Sequence, residues 1–65
     1  MKLLLRECRK ERGLTQTALS IASGVSRVNI SKYESGLSDP TINTAMKLAK
    51  AMNVTMNDLI DDKED

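Results

Sequence analysis

Histidine, phenylalanine and tryptophan are absent, and cysteine, proline and tyrosine occur once each. Each scarcity closes off a class of chemistry. With Cys8 as the single cysteine, no internal disulfide can form. Without histidine or a second cysteine, the usual zinc-binding spacings are also out of reach. The commonest general base is therefore missing, no nucleophile–base pair stands out, and no glycine-rich loop is built to cradle a phosphate. These absences predict a protein that is not an enzyme and needs no metal or cofactor. No apolar run approaches the length of a membrane span. The opening MKLLLREC is too charged, and too short in its apolar part, for a signal peptide. The expected location is the cytoplasm.

What is present fits one small domain. Sixty-five residues bury only about 60% of their unfolded surface, so stability is expected to be modest. The chain is 40% hydrophobic, and with Tyr33 as its only aromatic residue the core must be aliphatic and methionine-rich. Such a core packs adaptably, because methionine fills gaps. The charge is divided along the chain. Residues 1–36 carry seven basic and three acidic side chains, whereas residues 37–65 carry three lysines against six acids. A basic half beside an acidic half suggests a polyanionic partner on one side of the molecule.

Helical punctuation recurs throughout. Valine, isoleucine and threonine are too scattered for alternating strands. Leu4, Leu5 and Cys8 repeat at helical spacing before RKER and Gly13, a basic last turn followed by a stop. Thr15 is placed to cap a second helix ending at Gly24, with Leu19 as its main core residue and Ala22 and Ser23 near the same face. Ser26 caps a third, ending at Gly36. Neither start has Glu or Gln three residues on, so the full capping box is missing from both. LSDP is a loop, since Pro40 disfavours a helical Asp39. Thr41 opens a fourth helix with the apolar stripe Ile42, Ala45, Leu48, Ala49 and Met52, and Asn53 is a left-handed stop. Thr55 caps a short fifth helix, with Asp58 completing a weak capping box and Val54, Met56, Leu59 and Ile60 as anchors. The expectation is a compact all-α domain of five helices over residues 1–60, with an acidic tail at 61–65. The short join at Gly24–Val25 forces the second and third helices to cross steeply, which is helix-turn-helix geometry.

The third helix poses a question. Ile30 and Tyr33 share one face with Glu34 beside them. Val28, Ser31, Lys32 and Ser35 occupy the other face, flanked by Arg27 and Asn29. A polar, basic outer face that also holds an unprotected valine is an odd surface for a helix to show to water.

The segments GLTQTALSIASGVSRVNISKYESG and DPTINTAMKLAKAMNVTMNDLI together resemble the phage lambda repressor/Cro-like helix-turn-helix family, also called the xenobiotic response element type. The likeness runs from about Leu5 to Ile60. It implies that the third helix lies in the DNA major groove. Arg27, Val28, Asn29 and Lys32 are then the base-contact candidates. Arg suits guanine acceptors, Lys the same acceptors or a phosphate, Asn adenine or a phosphate, and Val28 suits a thymine methyl, which gives the valine a purpose. Thr15, Gln16, Ser31 and Ser35 are the phosphate-contact candidates, and Arg9 and Glu34 match a structural pair tying the first helix to the third. In place of the Lys or Arg that relatives often carry after the third helix, this chain has Leu37, Ser38 and Asp39. Weaker backbone contact and modest affinity from one subunit follow. Dimerisation then matters more, with half-sites roughly 34 Å apart and Val54, Met56 and Ile60 as candidate contacts; assembly only on DNA is one route to such a dimer.

The leading expectation is a double-stranded DNA-binding transcriptional regulator, a repressor that blocks a promoter sterically. The alternative is an antitoxin-type or protein-interaction module of the same fold. Two smaller signals have ordinary readings. Cys8 has basic neighbours, Arg9 and Arg12, that can activate a thiol, yet it sits where a buried structural cysteine is expected. The terminal acids lack the spacing and glycine of a calcium loop, so they read as a solvated tail.

Overall fold

The computed structural model describes residues 2–61. Five helices follow in order: α1 (Leu5–Glu11), α2 (Gln16–Ser23), α3 (Arg27–Ser35), α4 (Ile42–Met52) and α5 (Met56–Leu59). Two very short strands bracket them, β1 (Lys2–Leu3) and β2 (Ile60–Asp61). Among the described residues no helix is long and apolar enough to cross a membrane.

The polar punctuation works as its chemistry requires. The hydroxyls of Thr15, Ser26, Thr41 and Thr55 accept from the backbone N–H groups of Ala18, Asn29, Thr44 and Asp58, so each satisfies a donor that its helix leaves open. Thr55 and Asp58 form a complete reciprocal capping box. Thr41, and not Asp39, caps α4. Gly24, Gly36 and Asn53 close their helices in the left-handed conformation.

The turn between α2 and α3 is held by its own hydrogen bonds. Ser20 Oγ donates to the Val25 carbonyl at 2.6 Å, and the Val25 N–H donates to Ser23 Oγ at 3.2 Å. Val25 is thereby turned into the core. Six side chains are fully buried: Leu5, Leu19, Ile30, Leu48, Met52 and Leu59. Each contributes about 2 kcal/mol relative to exposure, and together they draw all five helices onto one centre.

Three details depart from the sequence reading. The ends of the fold pair: Lys2 sits opposite Asp61 and Leu3 opposite Ile60, antiparallel, and the Leu4 N–H donates to the Leu59 carbonyl at 2.7 Å. This ribbon explains how α1 starts without a side-chain cap at Leu4. Asp61, assigned to the tail, therefore belongs to β2, and the rest of the tail lies outside the described residues. Ala22 is exposed, and Ala18 and Ser23 flank Leu19 instead. Ile42 is 74% exposed, because the buried stripe of α4 begins only at Ala45.

Cys8 is buried, and its thiol donates to the Asp58 carbonyl at 3.5 Å. Burial pushes the thiol up, the nearby Glu11, Asp58 and Glu7 push it further, and Arg12 opposes them. That is the environment of a packing residue and not of a thiolate.

No heavy atom lies within 4 Å of a Cβ built at Gly24, where φ is +77°. The cost of Gly24→Ala is therefore conformational, about 1 kcal/mol. A melting temperature lowered by roughly 4–8 °C is expected on calorimetry with helix content unchanged. A collapse of the fold would mean that the turn is sterically closed.

Candidate nucleic-acid interface

Position on α3 decides what each of its residues can do. Ile30 is fully buried, and Tyr33 and Glu34 are half-buried. Arg27, Val28, Asn29, Ser31, Lys32 and Ser35 are exposed, with Val28 at 56%. The side-chain nitrogens of Arg27 and Lys32 have no hydrogen bond or ion pair among the described residues. All four residues singled out for base contact are therefore exposed, starting directly after the Ser26 cap.

Behind that surface lies a polar cluster. Arg9 Nε donates to Glu34 Oε2 at 2.7 Å and Arg9 Nη2 donates to Oε1 at 3.1 Å, a bidentate pair. The two side chains are 11% and 6% exposed, so the pair is nearly removed from water. Arg9 Nη1 also donates to the Leu14 carbonyl at 2.7 Å, and Gln16 Nε2 donates to Glu34 Oε1 at 3.1 Å. One carboxylate thus joins α1, the entry to α2 and the end of α3. Burial opposes its charge, yet the hydrogen bonds from Arg9 and Gln16, with the Arg9 and Arg6 charges behind them, hold its carboxyl below the ordinary glutamate range. The hydrogen bond to Glu34 in turn raises the Arg9 guanidinium.

The phosphate-contact candidates divide by what already occupies them. Thr15 is exposed and its oxygen caps α2. Gln16, assigned to phosphate from the sequence, has one amide N–H committed to Glu34, a link that sequence reading did not include. Ser31 and Ser35 line a shallow cleft of about 270 Å³ together with Arg6, Arg9, Gln16 and Glu34. Ser35 Oγ also donates to the Lys32 carbonyl at 3.1 Å. Arg12 leans the other way, its Nη2 donating to the Asn53 carbonyl at 3.4 Å. Part of the basic run is therefore spent within the chain.

Two helices joined by a short turn at Gly24 and Val25, the second of them capped and cation-bearing, define the helix-turn-helix class. The sequence profile of a family described as Helix-turn-helix matches residues 5–59. The chain belongs to this lambda repressor/Cro-like helix-turn-helix family, and by that membership it is a DNA-binding transcriptional regulator. It is similar to an HTH-type transcriptional regulator of Methanothermobacter thermautotrophicus, 42% identical over 52 residues, covering 80% of this chain and 75% of the relative. A second HTH-type transcriptional regulator, from Archaeoglobus fulgidus, is 36% identical over 66 residues, covering 98% and 94%. Among solved structures, the restriction-modification controller protein C.AhdI from Aeromonas hydrophila superposes with a TM-score of 0.82 at 32% identity, covering 86% of this chain and 85% of its own.

The Glu34 environment has a measurable consequence. A carboxyl whose pKa is depressed by folding stabilises fully above its unfolded value, and that contribution is lost as pH falls through the folded value. Stability should therefore fall below the ordinary glutamate range in urea titrations. Glu34→Gln should flatten that acid slope and cost about 3 kcal/mol at neutral pH by leaving Arg9 unpaired. Asp58, also depressed by its Thr55 hydrogen bonds, should supply the slope that remains. An unchanged acid slope in Glu34→Gln would contradict the linkage.

Proposed function

We propose that the chain is a cytoplasmic repressor that lays α3 in the major groove of an operator, with a second copy reading the adjoining half-site. The observation that carries this reading is the division of α3 between a buried face and an outer face whose cations hold nothing among the described residues. A guanidinium at Arg27 offers paired donors to guanine O6 and N7, and Lys32 reaches the same acceptors or a phosphate. Asn29 offers the donor–acceptor pair that adenine requires. Val28 meets a thymine methyl, a contact that removes its apolar surface from water. Repression follows from occupancy, because a bound dimer excludes other proteins from the same duplex.

Dimerisation draws support from a second surface. Ile42 and Met46 lie one turn apart on α4 and are 74% and 53% exposed. The clefts beside them are walled by Val54 and Met56 on one side and by Pro40, Met56 and Ile60 on the other. Val54, Met56 and Ile60, the contacts suggested by sequence, are half-buried against the core and act as walls. Ile42 and Met46 supply the projecting apolar groups that a second copy would cover. A heterologous protein on the same strip is the competing reading.

Two experiments test these claims. After selection of a preferred site from a random duplex library, Arg27→Ala and Lys32→Ala should each lose about 1–3 kcal/mol of discrimination against altered bases, with unchanged circular dichroism. Parent-like discrimination in both variants would remove α3 from the reading role. For the dimer, Met46→Asp should shift sedimentation equilibrium towards monomer and abolish cooperative binding to an inverted repeat. A parent that stays monomeric on a full inverted repeat would favour the heterologous partner.

A further inference from the structure

α3 is anchored at both of its ends, and the two anchors differ in kind. At its last turn the Arg9 fork holds Glu34. At its start the anchor is a pair of half-buried serines on α2. Ser23 Oγ donates to the Leu19 carbonyl at 2.7 Å and accepts from the Val25 N–H at 3.2 Å. Ser20 Oγ donates to the Val25 carbonyl at 2.6 Å. Both polar backbone groups of Val25 are thus held by α2. Among the described residues no backbone group bonds to either of them.

The position of that hold gives it leverage. The Val25 carbonyl belongs to the peptide that leads into Ser26, the cap of α3. A peptide is planar, so the orientation of the carbonyl passes directly to the Ser26 nitrogen. Gly24, the residue before Val25, has no side chain with which to brace the turn. Packing of Val25 and Ile30 presses α3 onto the core, but apolar burial has no direction and does not choose a tilt. Hydrogen bonds do have direction.

We infer that Ser20 and Ser23 are positioning residues for base recognition, which fix the tilt of α3 by holding the Val25 peptide. The inference rests on the proposed docking of α3 in the major groove. The nine residues of α3 set its two ends about 12 Å apart. With the first end released, a tilt of about 10° around the Glu34 anchor moves the first turn by about 2 Å. A hydrogen bond to a base edge does not survive that displacement. Arg27, Val28 and Asn29 ride on the released turn, whereas Lys32 lies within one turn of Glu34 and moves little. Loss of the hydroxyls therefore removes specificity in a graded way, from the first turn of α3 towards its last.

The test compares Ser20→Ala and Ser23→Ala with Leu59→Val, a core change on α5, which packs against α1, α4 and β2. All three should melt below the parent, so base preferences on a selected duplex are measured well below each melting point. Both serine variants should lose about tenfold in preference at the base that Arg27→Ala assigns to Arg27. They should keep the preference assigned to Lys32, and the parent's slope of log K against log salt, since no cation is removed. Leu59→Val should keep every preference. Residual dipolar couplings on the free chain give a readout that needs no DNA: the angle between α2 and α3 should change in the serine variants and hold in Leu59→Val. Parent-like preference at the Arg27 base, or an unchanged angle, in the serine variants would overturn the inference and leave the DNA reading standing. So would an equal loss at the Lys32 base or in Leu59→Val. If the parent selects no duplex, the DNA reading fails and the positioning role with it. Should Ser20→Ala not fold, Ser23→Ala carries both readouts and the same outcomes decide.

Discussion

The Arg9–Glu34 pair is the interaction on which the arrangement of α3 depends. Apolar burial drives the helices together but has no direction. The bidentate fork has direction, and its reach is short. It fixes the last turn of α3 against α1, while the remaining bonds of the same two side chains fix the Leu14 carbonyl and the start of α2. Ile30 and Val25 then set the rotation of α3 by filling the core beneath it. With the buried side determined in this way, the outer side can carry residues chosen for what they meet outside the chain.

Most of this was legible in the sequence because local chemistry and tertiary need agree at the helix ends. Thr15, Ser26, Thr41 and Thr55 announce starts, and Gly24, Gly36 and Asn53 announce stops, for reasons that do not depend on the rest of the fold. The Arg9–Glu34 link was legible only through family resemblance, since nothing local joins residues 25 positions apart. The ribbon of β1 and β2 had no readable signal, because two-residue strands are too short to alternate. Ile42 misled for a related reason. Its spacing fits the stripe of Ala45 and Leu48, but periodicity gives a face and not the point at which the core ends. Gln16 shows the same limit for polar residues: its position at the start of α2 was readable, and its bond to Glu34 was not.

The surface divides into regions with different tasks under the proposed function. The outer face of α3 reads bases, the flanking polar groups hold the backbone, and the apolar strip on α4 brings in a second copy. In that reading the loop after α3 offers phosphate no cation, since it carries Leu37, Ser38 and Asp39, so a single subunit has few cationic contacts to offer. Shortage of charge in one subunit makes the second copy, and not tighter monomer binding, the economical route to occupancy.

The most direct measurement is amide chemical-shift mapping of the isotope-labelled chain during titration with a selected duplex. The expected result is saturable change concentrated from Ser26 to Ser35, with a second cluster at Thr15 and Gln16. Saturation of binding with α3 unmoved, and change confined to α4 and α5, would contradict the assignment of α3 as the reading helix.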